Sequence, residues 1–530
     1  MPSAADSRPP TSAPPRHDGD CLAAARERIA VAYDPGLFEE AGHRLAELLS
    51  AHLARAGRSE GVVLPWVEPP ERIREAAALL DGDRGGAGNR GGGPDPDRLP
   101  DDFARLVTTM LQRGLNLHDP RYIGHQVPAS VPFAGLFDAV GSVTNQCMAI
   151  YEMGPWATAA EQAMVQELGA AIGWAPGTFA GIATHGGSLA NLTALLTARN
   201  VALGNVWERG LASDGPQPVI LAHAGAHYSV ARAAGILGLG SRQIIPVALD
   251  GLGRMDPVRL EAELAGARER RQPVVAVVSC ACATPTGAFD QLEEIAAICR
   301  RHGVWLHVDA AHGGAAALSD RHRHLLAGIE LADSVVWDAH KMLFVPALCA
   351  FVLYRNRDLR FQAFRQDAPY LFDPAAPGLA DYDSGMRAVE CTKRAAAFGL
   401  WGVWSLFGRQ LFADMVDVTF AMGHTFYEKL SAADDFVPLH EPQCNIVVFR
   451  HIPAALREAP AEEVGAFQLE LRRRLIESGE FYIVPFKGDG IGALRVTIIN
   501  PLTTPAHLDD LMDALRRHGR ELLADQQKTF

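Results

Sequence analysis

Residues 304–341 read VWLHVDAAHGGAAALSDRHRHLLAGIELADSVVWDAHK. The run at 304–308 is apolar and contains β-branched residues, which predicts a buried strand. Asp309 follows this run directly, and Lys341 comes four residues after a second apolar run at 334–337. Ligands of open α/β sheets collect at the carboxyl ends of the strands. The stretch therefore predicts a carboxylate and an amine at one edge of a parallel sheet.

Lysine is rare in this chain. Of the 49 Lys and Arg residues, only five are lysine, namely Lys341, Lys393, Lys429, Lys487 and Lys528. Arginine stays charged in proteins, whereas a lysine amine can lose its proton and attack a carbonyl. A solvated loop is the ordinary place for a lysine. The scarcity of lysine and the position of Lys341 after a strand favour a reactive role for it.

Short apolar runs alternate with helical patterns between residues 100 and 390. Seven strand candidates lie near 180–184, 219–223, 243–247, 274–279, 304–309, 334–337 and 349–354. Helical patterns between them include 189–199, 227–237, 257–270 and 292–301. The alternation predicts an α/β domain at 100–390 with a mostly parallel sheet covered on both faces. The spacing alone is compatible with many doubly wound folds.

The first hundred residues predict helices and flexible segments. Residues 1–20 are rich in Pro, Ser and Ala, which predicts a disordered tail. Helical patterns at 21–33, 36–58 and 69–80 predict a helical N-terminal segment over residues 21–99. Within it, the Gly-rich stretch at 81–98 has the composition of a flexible loop.

The end of the chain predicts a second domain. A long helical run passes through FGLWGVWSLFG, strand candidates follow at 445–449, 482–484 and 494–499, and a closing helix begins near residue 505. This mixture predicts a smaller α+β C-terminal domain at 391–530.

Composition limits the classes of function. A chain of 530 residues forms two or three domains, and 48% hydrophobic with 21% charged residues is typical of soluble globular proteins. The net charge of −13 argues against a general nucleic-acid binder. No run of about 18 apolar residues predicts a membrane span, and the first twenty residues lack the apolar segment of a signal peptide.

The eight cysteines have no regular spacing and lie mostly in apolar runs. This predicts reduced thiols and a cytoplasmic protein. Cys280 and Cys282 form a C-x-C pair, but no second pair or His cluster accompanies it, so no metal site is predicted.

A Gly-rich turn follows the first strand candidate. Residues 184–188 read THGGS and lead into a helical run. Glycines let a backbone approach a phosphate closely, and a helix start offers free amides and a favourable dipole. Ser188 can donate its hydroxyl to a phosphate in such a turn. The alternative is an ordinary Ser N-cap after a Gly turn.

HVDAA at 307–311, followed by HK at 340–341, resembles the cofactor signature of the pyridoxal phosphate (PLP)-dependent group II amino-acid decarboxylases. These include glutamate, cysteine sulfinate, diaminobutyrate and aromatic amino acid decarboxylases. The similarity extends from about residue 100 to the C-terminus and implies a fold-type I PLP enzyme. It implies that Lys341 holds PLP as a Schiff base and that Asp309 pairs with the pyridinium nitrogen. An anion there keeps that nitrogen protonated.

The resemblance implies that Gly187 and Ser188 bind the cofactor phosphate, because they match the family's Gly-Gly-Ser/Thr turn.

The resemblance implies further cofactor contacts. Ala311 and His340 belong to the same signature. His227 matches a histidine that precedes Ser-Val and a helix in the family, where it stacks on the pyridine ring and assists proton transfer. A histidine near a helix start is otherwise common. Thr284 matches one hydroxyl of a Gly-Thr-Thr run, but Cys282 and Ala283 depart from that run, which leaves its role here open.

Other family positions concern the substrate. Tyr370 lies 29 residues after Lys341 in DAPYLFDP, where the family's mobile loop carries a tyrosine that protonates the α-carbon. Gln126 and Arg495 match residues near the substrate, and an arginine can bind a carboxylate with two hydrogen bonds. His312 stands where relatives have Trp or Tyr and is a candidate pocket residue. Loop packing for Tyr370 and a strand-edge surface site for Arg495 are the alternatives.

Together these features predict a carboxy-lyase that converts an L-amino acid into its amine and carbon dioxide. The predicted substrate is acidic or small and polar, of the glutamate, aspartate, cysteine sulfinate or 2,4-diaminobutyrate type. One alternative is a decarboxylating oxidative deaminase, or aldehyde synthase; Tyr370 argues against it and the departure at Cys282 keeps it open. A non-catalytic scaffold is another. The family also implies a homodimer with the active site at the subunit interface, and neither nucleic acid nor membrane is a predicted partner.

Overall fold

The structure is a computed structural model that describes residues 19–81, 95–212, 214–364, 381–488 and 490–528. The chain divides into two compact units, one of Met1–Glu60 with Pro65–Leu115 and one of Gly61–Leu64 with Asn116–Phe530. In the described ranges, no helix combines the length and apolar character needed to cross a membrane.

The first unit is helical. Its helices are α1 (Gly19–Ala32), α2 (Pro35–Gly57), α3 (Pro69–Asp81) and α4 (Leu99–Arg113). Helix α2 begins where it does because the Asp34 carboxylate accepts hydrogen bonds from the backbone N–H groups of Gly36 and Leu37, and proline occupies the first helical position. The three predicted helices match α1 to α3 within two residues. The predicted tail at 1–20 and the loop at 81–98 fall largely outside the described residues.

The second unit contains a seven-stranded sheet in the described part of the chain. In chain order its elements, with the helices around them, are α5 (Pro132–Val143), α6 (Pro155–Ile172), β1 (Ala180–Thr184), α7 (Gly187–Leu203), α8 (Val206–Arg209), β2 (Val219–His223), α9 (Ser229–Ile236), β3 (Ile244–Val247), α10 (Pro257–Glu269), β4 (Val274–Cys280), α11 (Leu292–His302), β5 (Leu306–Asp309), β6 (Ser334–Asp338) and β7 (Ala350–Tyr354). The strand order is β1-β7-β6-β5-β4-β2-β3. Strand β7 runs antiparallel to both of its neighbours, and the other pairs are parallel.

The sheet is buried on both faces, as expected for parallel strands between helices. Every residue of β2, β5, β6 and β7 is buried, and α7 packs against the sheet through the fully buried Ala194, Leu195 and Ala198. The predicted mostly parallel sheet is confirmed. The predicted strand at 304–309 is two residues too long at its start, because β5 begins at Leu306. The predicted helix at 227–237 begins two residues later, at Ser229.

A second sheet follows α12 (Phe398–Ser431), a helix kinked at Gly408, where φ is 71°. Its elements are β8 (Phe436–Pro438), β9 (Ile446–His451), α13 (Ala461–Ser478), β10 (Val484–Gly488), β11 (Ile491–Thr497) and α14 (Pro505–Lys528). The order β10-β11-β9-β8 is antiparallel throughout.

The sequence located this second sheet less accurately than the first. Strand β8 has only three residues and was missed. The strand predicted at 482–484 lies at Val484–Gly488 instead. Tyr482 is not part of it, because this residue forms an isolated bridge with Tyr122, and the strand continues through Pro485 to end at Gly488. The predicted α+β character is confirmed. The domain boundaries at 99/100 and 390/391 stay predictions.

Candidate active site

A cavity of about 360 Å³ lies at the carboxyl ends of the strands. Asp309 ends β5, Asp338 ends β6 and Cys280 ends β4, so three neighbouring strands deliver polar side chains to one edge. The cavity lining includes these residues predicted from the sequence: Gly187, Ser188, His227, Thr284, Asp309, Ala311, His312, His340 and Lys341. It also includes His185, Gly186, Asn191, Cys280, Cys282, Asp338 and Leu348.

Lys341 lies three residues beyond β6. Its Nζ is 3.3 Å from Oδ2 of Asp338, whose side chain is almost fully buried. The other oxygen of this carboxylate, Oδ1, is buried without a hydrogen-bond partner in the described part of the chain. The buried carboxylate therefore fixes the lysine amine at the cavity wall and keeps one oxygen free for a further donor.

Asp309 is held by two donors and a network behind it. Asn191 Nδ2 lies 3.0 Å from Asp309 Oδ2, and the Ala311 N–H lies 3.2 Å from Oδ1. Asn191 Oδ1 lies 2.9 Å from His307 Nε2, and the Ser334 hydroxyl lies 2.8 Å from His307 Nδ1. Because an amide oxygen only accepts, His307 donates from Nε2. Burial lowers the pKa of His307 to about 4, so this histidine is neutral at pH 7.

His227 is oriented by the same asparagine. Asn191 Nδ2 also donates to Ser229 Oγ at 3.0 Å, and that hydroxyl lies 2.9 Å from His227 Nδ1. The backbone N–H of Ser229 also points at His227 Nδ1, at 3.3 Å. Nδ1 is therefore the acceptor and Nε2 carries the ring proton. Burial lowers the pKa of His227, which favours this neutral form.

The Gly-rich turn closes one side of the cavity. Gly186 has φ of 106°, a conformation that favours glycine, and α7 begins at the next residue. A Cβ on Gly187 would lie 2.6 Å from Asp338 Oδ2, so only glycine fits there without a shift. The N-cap position of α7 is Gly186, with no side-chain hydrogen bond, so the alternative interpretation of Ser188 as an N-cap is wrong.

His312 is a buried residue of the cavity wall. Its Nε2 donates to Asn445 Oδ1 at 2.9 Å, because the Asn445 amide group itself donates to the carbonyl of Ile498. Burial lowers the pKa of His312 to about 3, so it is neutral. Its Nδ1 is buried without a partner among the described residues. This leaves a hydrogen-bond acceptor in the lining.

The segment at 282–284 carries a strained residue. Cys282 has φ of 82°, which is rare for a residue with a side chain, and its Sγ lies 3.6 Å from Cys444 Sγ. The Thr284 carbonyl accepts a 2.7 Å hydrogen bond from Arg495 Nη1.

The predicted substrate-side residues are not all in the lining. Arg495 is half-buried on β11, which is paired with β10 on one side and β9 on the other, so the strand-edge surface alternative does not hold. It does not line the cavity itself but donates to the carbonyl of Thr284, which does. Gln126 is buried, with Nε2 unpartnered in the described part of the chain, and does not line the cavity. Tyr370 lies outside the described residues.

Comparison with known proteins identifies the family. Residues 95–452 match the model of the pyridoxal-dependent decarboxylase conserved domain. The chain belongs to the pyridoxal-dependent decarboxylase family. The mouse protein named acidic amino acid decarboxylase GADL1 is 31% identical over 471 residues, which cover 87% of this decarboxylase and 82% of the mouse protein.

Solved structures agree with this assignment. Mouse CSAD is 28% identical, with a TM-score of 0.81 and coverage of 92% of this decarboxylase and 99% of CSAD. A Rhodiola rosea 4-hydroxyphenylacetaldehyde synthase is 19% identical, with a TM-score of 0.77 and coverage of 92% and 99%, and shares the fold. The predicted family, the predicted amino-acid decarboxylase activity and the predicted PLP cofactor are confirmed.

The cavity residues of this decarboxylase fit PLP. Lys341 supplies the amine and Asp309 supplies a carboxylate held by two N–H donors. The Gly-rich turn leads into the start of α7, and the buried Nε2 of His185 lacks a partner in the described ranges. An amine, a carboxylate and an anion-binding turn around one cavity form the donor set that an aldehyde, a pyridine nitrogen and a phosphate require.

The sequence missed Asp338 as a site residue, and the role of Asn191 as a link between two site residues. Asp338 had a usable signal, because it ends an apolar strand three residues before Lys341, as Asp309 ends β5. Glu390, which contacts His185, had none, since 205 residues separate the two in the chain.

Proposed function

We propose that this decarboxylase acts on an acidic L-amino acid and releases the amine and carbon dioxide. The observation that carries the proposal is the arrangement of Lys341, Asp309 and His227 around one cavity. The acidic class is supported by the similarity to acidic amino acid decarboxylase GADL1. The half-buried Arg495, which donates to the Thr284 carbonyl, supports it further, because a guanidinium binds a carboxylate with paired hydrogen bonds.

The individual roles proposed here are those that the resemblance to the family implies, and the chemistry of each side chain is compatible with them. Lys341 is the amine that attaches the cofactor, and Asp309 pairs with its ring nitrogen. Gly187 and Ser188 bind its phosphate at the start of α7. His227 packs on the ring face, and the remaining predicted contacts are Thr284, Ala311 and His340.

The chemistry that bound PLP supplies is an electron sink for the α-carbon after carbon dioxide leaves. Asp309 stabilises that function by keeping a negative charge beside the ring nitrogen, and its two N–H donors favour the ionised carboxylate. Asp338 holds the Lys341 amine close to the site. His227 carries its proton on Nε2, because Nδ1 accepts from Ser229.

Proton delivery to the α-carbon is assigned to Tyr370, with His227 as a second donor. A phenol reaches the site protonated, because its ordinary pKa is about 10. Gln126, Arg495 and His312 are assigned to the substrate. Arg495 sits beside Thr284, and His312 offers a neutral acceptor.

An oxidative decarboxylase that forms an aldehyde is the second candidate. The observation that favours it is Cys282, whose left-handed backbone lies in the segment that departs from the Gly-Thr-Thr run. In that reaction, dioxygen is reduced to hydrogen peroxide while the amine carbon is oxidised and released as an aldehyde with ammonia. Tyr370 favours simple decarboxylation over this reaction.

Assembly and location are further parts of the proposal. A homodimer is supported by an exposed apolar face on α5, formed by Phe133, Leu136, Val140 and Val143 at helical spacing. Exposed apolar faces of this kind mark interfaces, and the family implies that partner subunits complete the site. A cytoplasmic location is supported by the free thiols of the described cysteines, several of them buried.

The test uses the purified enzyme with PLP and a panel of glutamate, aspartate, cysteine sulfinate and 2,4-diaminobutyrate. Carbon dioxide and hydrogen peroxide are measured together. Carbon dioxide without peroxide from an acidic amino acid supports the proposal. Peroxide in equal amount supports the aldehyde synthase, and turnover of 2,4-diaminobutyrate alone contradicts the acidic class.

A variant connects the activity to Lys341. In Lys341→Arg the positive charge stays, but the guanidinium that replaces the amine cannot attack an aldehyde. Activity therefore falls by about 1,000-fold or more, and the visible band of the bound cofactor is lost. The matched control is Lys429→Arg, at an exposed ion pair with Asp509. Retention of the visible band in Lys341→Arg would contradict the assigned role.

A further inference from the structure

His185 lies at the junction between β1 and the Gly-rich turn, in the wall of the active-site cavity. Its Nδ1 is 2.7 Å from Oε1 of Glu390, a carboxylate that is three-quarters buried. Carboxylates do not donate when ionised, so His185 donates from Nδ1. The contact with His185 helps to lower the pKa of Glu390 against the opposing effect of burial. The pair is therefore a histidine proton held by a carboxylate.

The other ring nitrogen of His185, Nε2, is buried and has no hydrogen-bond partner among the described residues. A buried polar atom without a partner destabilises the fold, and buried polar atoms in native proteins are nearly always paired. An atom of this kind in a ligand cavity indicates that the ligand supplies the partner.

A phosphate in this cavity needs more positive charge than Lys341 alone supplies. Asp309 and Asp338 are both in the lining, and among the lining residues Lys341 alone is a lysine or arginine in the described part of the chain. A phosphate monoester adds a charge of about −1.5 to −2 at pH 7. Backbone amides at a helix start offset part of that charge, and a cationic imidazole beside the same turn offsets more.

We propose that His185, held by Glu390, is a phosphate-binding cation of this active site and donates from Nε2 to the phosphate of the cofactor. The proposal rests on the assignment of the phosphate to Gly187 and Ser188. Glu390 acts as a positioning residue, because it fixes the ring through Nδ1 and directs the second N–H away from itself. The other explanation is that the pair only packs the turn, in which case it does not distinguish a phosphorylated from an unphosphorylated ligand.

The test measures the dissociation constants of PLP and pyridoxal, which differ only in the phosphate. The apoprotein is titrated with each and tryptophan fluorescence is followed. In His185→Ala, the PLP dissociation constant rises about 10- to 100-fold, the scale of one charge-assisted hydrogen bond, while that of pyridoxal stays unchanged. Glu390→Gln raises the PLP constant by a smaller factor.

Controls separate this effect from loss of folding. His424→Ala changes an exposed histidine of α12 and leaves both constants unchanged. His185→Gln keeps the side-chain volume and a neutral donor, so an intermediate PLP constant is expected if His185→Ala does not fold. Equal weakening of PLP and pyridoxal, or no change in either, overturns the proposal.

The wild-type protein distinguishes this inference from the proposed function. If PLP binds no more tightly than pyridoxal to the wild type, the phosphate assignment at Gly187 and Ser188 is wrong. If the wild type prefers PLP and His185→Ala keeps that whole preference, the function stands and the role of His185 is wrong.

Discussion

Asn191 Nδ2 lies 3.0 Å from the Oδ2 of Asp309 and donates a hydrogen bond to it. The same amide reaches His227 through Ser229, and its oxygen accepts from His307. One buried asparagine therefore holds the Asp309 carboxylate and, through Ser229, orients the His227 ring. It acts through these residues and does not itself carry out a chemical step.

Replacing Asn191 is expected to weaken catalysis without removing any group assigned to the reaction. In Asn191→Ala, Asp309 and His307 each lose a partner, and kcat falls by about 10- to 100-fold, the usual cost of removing a supporting hydrogen bond. Under the proposed pairing of Asp309 with the cofactor's ring nitrogen, the visible spectrum of the bound cofactor is expected to change as well, because the Asp309 carboxylate is less well held. Thr193→Ser, on the same helix, is the control. An unchanged spectrum and kcat in Asn191→Ala contradict this role.

The left-handed backbone of Cys282 predicts an unusual order of stabilities. At most buried positions, alanine is more stable than glycine, but a Cβ is strained at φ of 82°. Cys282→Gly is therefore expected to be more stable than Cys282→Ala by about 1 kcal/mol, measured by urea unfolding. At Cys280, which lies in strand β4, the order is reversed and alanine is the more stable. The same order at both positions is evidence against strain at 282.

The ion pair between Glu161 and Lys393 is buried behind β1. Lys393 Nζ lies 2.6 Å from Glu161 Oε2, and each side chain is 1% exposed. Removing one partner leaves an unpaired buried charge, so Glu161→Gln lowers the free energy of unfolding by about 3–5 kcal/mol. The double variant Glu161→Gln/Lys393→Met is expected to lose less free energy of unfolding than the sum of the losses in the two single variants.

An exposed pair in the same protein supplies the comparison. Lys429 Nζ lies 2.7 Å from Asp509 Oδ1, and the two side chains are 27% and 57% exposed. Asp509→Asn is therefore expected to change the free energy of unfolding by about 1 kcal/mol or less. Two results would contradict this prediction. One is that the losses in free energy of unfolding from changing Glu161 and Lys393 are additive. The other is that Asp509→Asn lowers the free energy of unfolding as much as Glu161→Gln does.

Two buried histidines predict that acid weakens the fold. Burial lowers the pKa of His307 to about 4 and of His312 to about 3, from an ordinary value of 6.5. Below pH 6.5 the unfolded chain therefore binds protons that the folded chain does not. Each histidine lowers the free energy of unfolding by about 1.4 kcal/mol per pH unit as the pH falls from 6.5 toward 4.

The measurement is urea unfolding at pH 7, 6 and 5. In His312→Asn the slope of stability against pH is expected to be shallower by the contribution of one proton, while His424→Ala, at an exposed site, keeps the wild-type slope. An identical slope in wild type and His312→Asn contradicts a neutral, buried His312.

The sequence predicted the parts of the site that depend on local pattern. Asp309 and Lys341 each follow an apolar strand, and strand ends of a parallel sheet meet at one edge, so their convergence follows from periodicity alone. The partners of those residues depend on tertiary packing. Asn445 meets His312 across 133 residues of chain and Glu390 meets His185 across 205, and no local pattern encodes such pairs. Element boundaries differed for a similar reason, as at β10, where pairing with β11 extends the strand through Pro485.

The antiparallel direction of β7 determines how the lysine can move. Because β7 runs antiparallel beside β6, Lys341 lies in the short connection between these two strands. The two ends of this connection are joined by a hydrogen bond from the backbone N–H of His340 to the carbonyl of Cys349. The Phe344 carbonyl in the same connection accepts from the N–H of Val131. The main chain around the Lys341 amine is thus anchored at both ends and in the middle. Movement of the Lys341 Nζ atom therefore depends on rotations about the bonds of its own four methylene groups. The length of this side chain limits how far Nζ can move from the anchored backbone.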